Sequence, residues 1–301
     1  MKLQGAFTAL ITPMKNSGDV DYKGFERLIE FQLEEGIDGL VPLGTTGETP
    51  TLTEDEEKKL TKIAVKRVNG KVPLIVGAGS NDTSHMVKYV KRAKDLGADA
   101  ALVVTPYYNK PNDDGLLRHF DAASEVGIPI IVYNIFSRTA RNIPVALMEK
   151  IAAMPNIAGV KESSGDLAQI GDNINLISRP RKNSRKPFWV ISGDDSFTLP
   201  VMALGGDGII SVISNLVPAR VKALTKACLS GNYDEGRRIH YELLPLMKAA
   251  FIETSPAPIK LAMNWAGLPA GIVRLPLGNL STPNQSILRA ALTDMGIKVK
   301  A

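Results

Sequence analysis

Cysteine is almost missing from this chain: among its 301 residues only Cys228 carries a thiol. A disulfide within the chain is therefore impossible, and a reducing, cytoplasmic location is expected. Cys228 itself reads as a small core hydrophobe on a helix around 221–229. Histidine is scarce as well. His85, His119 and His240 are widely spaced and fall on expected helices, so neither a histidine metal site nor a metal cofactor is expected. No apolar run approaches the roughly 18 residues of a membrane span. The opening residues, Met1-Lys2-Leu3-Gln4-Gly5, lack the layout of a signal or transit segment, and no targeting segment is expected there.

Acidic residues are absent from one short stretch. Arg179, Arg181, Lys182, Arg185 and Lys186 place five basic residues in eight positions, with no carboxylate and no aromatic among them. Set aside those five of the 36 Lys and Arg, and the remainder balances the 31 Asp and Glu. The net charge of +5 therefore belongs to one solvated loop, Ser178–Pro187, and not to a basic face. Nucleic acid is not an expected partner. A Gly-x-Gly-x-x-Gly turn after the first strand is also lacking. The nearest match, Gly77-Ala78-Gly79-Ser80-Asn81-Asp82, follows the third strand and ends without glycine. That argues against an open dinucleotide-binding sheet.

What the chain does contain is a repeated alternation. Apolar, β-rich runs at 7–12, 39–43, 73–76, 100–105, 129–133, 157–161, 189–192 and 208–212 alternate with amphipathic helical patterns. Asp21 is placed to cap the first helix, whose stripe is Phe25, Leu28, Ile29 and Leu33. Thr53 and Glu56 make a capping box for the second, with Leu60, Ile63 and Ala64 inward. Further helices fit 84–96, 114–125, 144–153, 166–177, 196–204 and 218–229. Pro144 and Pro218 suit first turns. Gly36, Gly97 and Gly127 sit where helices should stop. Eight such units predict a closed (β/α)8 TIM barrel over residues 1–230, carrying the active site. Helical patterns at 233–251, 258–266 and 285–295 predict a C-terminal helical extension over 231–301.

In such a barrel, chemistry gathers at the C-terminal ends of the strands. Those ends bring Gly44-Thr45-Thr46-Gly47-Glu48, Tyr107-Tyr108, Tyr133-Asn134, Arg138, Lys161, Gly193-Asp194-Asp195 and Ile210 to one rim. Each has an ordinary use. Gly-Thr-Thr-Gly alone is a tight turn, one of the two tyrosines suits a core or interface, and Arg138 suits a surface ion pair. Asp195 is expected to cap the helix at 197–204. Lys161 closes an apolar strand, where an ammonium is unfavourable unless solvated, paired or used. Taken together they suit amine catalysis. Lysine can condense with a ketone, the iminium can act as an electron sink, a phenol can move protons, and arginine can clamp a carboxylate.

At these motifs the sequence closely resembles the dihydrodipicolinate synthase family, of the pyruvate-aldolase superfamily that includes N-acetylneuraminate lyase. The resemblance runs nearly the whole length. It is carried by Gly44–Glu48, Thr105-Pro106-Tyr107-Tyr108-Asn109-Lys110-Pro111, Tyr133-Asn134, Ser137-Arg138-Thr139, Val160-Lys161-Glu162, Ser192-Gly193-Asp194-Asp195 and Gly208-Ile209-Ile210-Ser211-Val212. Phe251-Ile252-Glu253-Thr254 and Arg274-Leu275-Pro276-Leu277 extend it into the tail. It implies a homotetramer that condenses pyruvate with aspartate 4-semialdehyde on the diaminopimelate route to lysine, with no cofactor. By motif position, Lys161 would form the Schiff base and Tyr133 would donate and accept protons. Thr45 would link Tyr133 to Tyr108 of a neighbouring subunit. Thr46, Ile210 and the Gly193 backbone would contact pyruvate. Arg138 would hold the second substrate's carboxylate. The chain departs from the family at Phe136, where proline is usual and would restrain the loop that aims Arg138. Sugar-acid aldolases share the lysine and tyrosine but resemble the chain less at Ser137–Thr139. A phosphate-binding barrel isomerase is a more distant alternative. Lysine-inhibited members bind lysine near positions matched here by Thr49, Glu54, Glu57, Asn81, His85 and Tyr107. Sensitive members carry glutamate at the position of His85 and histidines at those of Glu54 and Glu57, so little feedback inhibition is expected.

Overall fold

The computed structural model describes residues 2–299. Met1, Lys300 and Ala301, at the outer ends of the two expected segments, lie outside the described residues. Eight parallel strands form the centre: β1 Gly5–Ala9, β2 Gly39–Val41, β3 Ile75–Gly77, β4 Ala100–Val104, β5 Ile130–Asn134, β6 Ile157–Glu162, β7 Trp189–Ser192 and β8 Gly208–Ser211. Pairing runs β2-β1-β8-β7-β6-β5-β4-β3. A parallel bridge between Leu40 and Leu74 joins the two ends, as do bonds from Leu40 N–H to Pro73 O (3.0 Å) and from Gly77 N–H to Pro42 O (2.9 Å). The sheet is therefore a closed barrel, the (β/α)8 architecture expected from the alternation. Only glycine fits at 77, because a Cβ there would lie 1.8 Å from Leu43 O.

Strand alternation decides what faces the axis. Phe7, Val41, Ile75, Leu102, Ile131, Tyr133, Ile191 and Ile210 pack together inside the barrel. The intervening Ile130, Val132, Val160 and Val190 point outward and pack under the helices. The expected first strand at 7–12 is shifted. The ladder ends at Ala9, and Ile11 N–H instead donates to Asn215 Oδ1 at 3.0 Å.

The helices begin and end as their capping residues dictate. Asp21 caps Tyr22–Glu34 through Gly24 N–H. Thr53 and Glu56 form the reciprocal box at the start of Glu54–Val68. Gly97 ends Thr83–Leu96 in the left-handed region. The tail adds helices Tyr233–Ala249, Ala257–Trp265 and Thr282–Asp294. Their apolar residues Ile239, Leu243, Leu246, Ile259, Met263 and Leu288 join the cluster that holds Leu10, Leu28 and Leu224. Cys228 is buried in the same cluster, with a free thiol. No helix among the described residues is long and apolar enough to cross a membrane.

The basic segment differs from the expected loop. The helical path that starts at Leu167 continues through a π-helical stretch, Asn173–Ser178, and on to Arg181. Its cations have work to do. Lys186 Nζ donates to the carbonyls of Ala152 (3.2 Å), Ala153 (3.0 Å) and Met154, and Arg181 Nη1 donates to Ala152 O at 2.6 Å. These are the terminal acceptors of helix Val145–Ala153, which a cation complements. Burial lowers the Lys186 pKa, and Arg181 lowers it further.

Candidate active site

Register brings the central pair together. In the β5–β6 ladder Tyr133 stands opposite Lys161, and Asn134 stands opposite Glu162. The first pair faces the barrel axis and the second faces the helices. Both inward side chains are buried, at 5% and 6% exposure. Lys161 Nζ lies 4.1 Å from the centroid of the Tyr133 ring. The lysine thus ends in a mostly apolar barrel and meets the face of a phenol.

Behind it, Glu162 is buried and held by Asn134 Nδ2 (3.1 and 3.2 Å), Asn173 Nδ2 (3.3 Å) and Ser164 N–H (2.8 Å). Burial raises its pKa, and the bonds from Asn134 and Ser164 act against the rise. Strand alternation was the signal for this residue: whatever follows an inward lysine must point outward.

The turn after β2 supplies the hydroxyls. Thr45–Gly47 is one turn of 3-10 helix, and Glu48 follows with φ 55°. Thr12 Oγ1 donates to Gly47 O at 2.7 Å, and Thr49 Oγ1 donates to Gly44 O at 2.9 Å. The Glu48 carboxylate anchors the turn from below. It accepts from Lys260 Nζ at 2.6 Å and from Arg274 N–H at 2.8 Å. Lys260 Nζ also donates to Thr12 O (3.0 Å) and Ile272 O (2.5 Å). Arg274 reaches Thr51 O (2.7 Å) and both Glu56 oxygens (2.6 and 2.9 Å).

A cavity of about 490 Å³ opens over this arrangement. Thr45, Thr46, Tyr133, Arg138, Lys161 and Gly193 all line it, with Ser163 and the tail residues Glu253–Ser255 beside them. Arg138 sits on a helical turn, Phe136–Thr139, and donates to Ser255 O at 3.3 Å. Gly193 is fixed by space. A Cβ there would meet Ser163 Oγ at 2.0 Å and Lys161 Cε at 2.9 Å. Two expected contacts stand apart from the cavity lining. Ile210 lies in the barrel interior with Tyr133 and Ile191. Tyr108, at φ 71°, is 90% exposed on the loop after β4.

A second cavity, of about 440 Å³, shares Thr45, Tyr133 and Arg138 and adds Thr49, Glu57, Ser80, Tyr89 and Tyr107. Glu57 is buried in it and paired with Arg92. Burial raises the Glu57 pKa, and Arg92 acts against the rise. Glu54 is paired with Lys88 at 2.7 Å.

Asp195 is not the expected helix cap. Asp194 instead caps the 3-10 turn Asp195–Phe197 that leads into helix Thr198–Ala203, accepting from Ser196 N–H at 2.9 Å. The Asp195 carboxylate is buried and accepts from Ser211 Oγ (2.5 Å), Val212 N–H (2.9 Å) and Ile213 N–H (3.3 Å). It ties the end of β7 to the end of β8. Burial pushes its pKa up to about 6, against those three bonds.

Comparison with known proteins agrees with the geometry. The description "Dihydrodipicolinate synthetase family" matches residues 2–295. A 4-hydroxy-tetrahydrodipicolinate synthase from Protochlamydia amoebophila is 47% identical over 296 residues, 98% of this chain and 97% of its own length. The enzyme of that name from Nitratidesulfovibrio vulgaris is 46% identical over 299 residues, 99% of this chain and 100% of its own. The crystal structure of dihydrodipicolinate synthase from Aquifex aeolicus superposes with a TM-score of 0.93 at 44% identity, covering 99% of this chain and 100% of that one. A closed barrel with a lysine-tyrosine pair at its mouth, matched over its full length at this identity, belongs to the dihydrodipicolinate synthetase family.

Proposed function

We propose that this chain condenses pyruvate with aspartate 4-semialdehyde to give 4-hydroxy-tetrahydrodipicolinate, a step in lysine biosynthesis by the diaminopimelate route. The buried Lys161 amine facing Tyr133 within the cavity carries the reading. The amine adds to the ketone carbon of pyruvate, and the ketone oxygen leaves as water once it has taken up two protons. The iminium that remains draws electrons from the methyl carbon, which gives up a proton and becomes an enamine. Tyr133, whose ring lies against Lys161 Nζ, carries a phenol hydroxyl to move these protons. Thr45 connects it to solvent and to Tyr108 of a second subunit, in a homotetramer. An exposed aromatic on a strained backbone suits a residue that completes a neighbour's site. Thr46 and the Gly193 backbone border the pyruvate, and Arg138 takes the carboxylate of the semialdehyde.

Borohydride reduction in the presence of pyruvate tests this reading. Intact mass should rise by one reduced pyruvate, and peptide mapping should place it on Lys161. Lys161→Arg should abolish trapping, because a guanidinium stays protonated and does not condense. An adduct on another lysine overturns the mechanism.

A further inference from the structure

Ser163 holds a hydroxyl that the mechanism above leaves unused. Alternation past the end of β6 returns Ser163 to the inward face that Lys161 occupies. Its N–H donates to Asn134 O at 2.8 Å, and Gly193 N–H donates to Glu162 O at 2.8 Å, so both positions extend the strand ladder and are fixed. An ideal Cβ on Gly193 would touch both Ser163 Oγ and Lys161 Cε, which places the hydroxyl and the lysine stem on either side of one point. Ser163 lines the cavity, and its Oγ is buried without a hydrogen-bond partner among the described residues. Three nearby hydroxyls are engaged: Thr12 by Gly47 O, Thr49 by Gly44 O and Ser192 by Asp194 O. A buried O–H without an acceptor is unfavourable, so an acceptor that enters with a ligand gains what folding left unmade.

The shape of the iminium identifies that acceptor. Its carbon bears three groups: the Lys161 nitrogen, the carboxylate and the methyl carbon. On the Schiff-base reading, the Thr45-Thr46 turn borders the carboxylate. The methyl carbon on that reading lies toward Gly193 and Ser163, which line the same cavity as Lys161.

We propose that Ser163 is a further catalytic residue, whose hydroxyl donates a hydrogen bond to the aldehyde oxygen of the second substrate as the carbon–carbon bond forms. The proposal rests on the Schiff-base reading above. In this step the enamine electrons form the new bond, the aldehyde π pair moves onto oxygen, and the nitrogen returns to iminium. The developing alkoxide takes up one proton, equal to the one the methyl carbon gave up, so Ser163 stabilises charge without being consumed.

Ser163→Ala removes one atom and separates the half-reactions. Exchange of pyruvate methyl hydrogens with deuterated water needs the Schiff base and enamine but no aldehyde. In the variant, that exchange and borohydride trapping should match wild type. Its kcat/KM for the semialdehyde should fall roughly tenfold to a hundredfold, the scale of a lost donor to a developing oxyanion. Unchanged condensation overturns the proposal, and so does an equal fall in exchange and condensation, which would mark a structural role or one toward pyruvate. Failure of the wild-type enzyme to trap pyruvate would instead strike down the Schiff-base reading itself.

Discussion

Lys260 and Glu48 lie 2.6 Å apart with both side chains about 1% exposed, joining a tail helix to the turn that carries Thr45 and Thr46. Burial lowers the Lys260 pKa and Glu48 acts against it, so each charge depends on the other. Removing one partner leaves an uncompensated buried charge. Glu48→Gln and Lys260→Met should each lower unfolding free energy by about 3–5 kcal/mol, as read by urea denaturation. A loss below ~1 kcal/mol in both variants would mean that the pair is not what holds the turn.

Tyr133→Phe keeps the ring beneath Lys161 Nζ and removes only the hydroxyl. Turnover should fall roughly a hundredfold or more, the usual scale for an acid–base group, while pyruvate remains trappable. Near-normal turnover would take Tyr133 out of the proton path.

Arg138 is held at the cavity by its bond to Ser255 O, so its guanidinium has donors left for a ligand. Arg138→Ala should weaken use of the semialdehyde by about 1.5–3 kcal/mol, the worth of a charge-assisted bond, with pyruvate trapping little changed. Steady-state kinetics with each substrate varied in turn would expose the difference. Equal damage to both would point to collapse of the turn around Phe136.

Asp195 makes stability depend on pH. Its folded pKa, about 6, lies above the ordinary carboxylate value of 3.8, so the folded protein binds the proton more tightly. The stabilisation this gives is complete below pH about 3.8 and is lost as pH rises through about 6. Asp195→Asn has no such proton to bind. The stability difference between wild type and variant should therefore be most favourable to wild type at pH 4 and should shrink toward pH 7. Denaturant titrations across that range check the sign, and a difference that grows with pH contradicts it.

Lysine should inhibit weakly or not at all. Glu57 lines the second cavity and is already paired with Arg92, and Glu54, at the start of the same helix, is paired with Lys88. A ligand ammonium would have to displace Arg92 from Glu57, and a ligand carboxylate would meet that acid. Initial rates across a lysine titration decide it, with strong inhibition at sub-millimolar lysine as the contrary result.

The barrel was legible because parallel strands covered on both faces are nearly continuous apolar runs. Apolarity did not separate strand from buried loop, which is why the first run was placed too late. Leu10 and Ile11 are as buried as the strand before them. The lysine-tyrosine core was legible too, since strand ends in a barrel share one rim. Asp195 and the basic segment were not. The partners of Asp195 lie at 211–213, and Lys186 serves carbonyls at 152–154, so neither role is written in local sequence. Glu162 and Ser163 could have been reached by counting alternate residues outward from Lys161.

Gly193 also limits how this site can evolve. Any substitution there displaces the Lys161 stem, so the position that looks most available for reshaping the pocket is closed to change. Arg138 and the tail residues Glu253 and Thr254, which border the same cavity, leave more room for change in substrate preference. The lysine and tyrosine are held by the barrel strands, whereas Arg138, Glu253 and Thr254 belong to segments laid over its mouth.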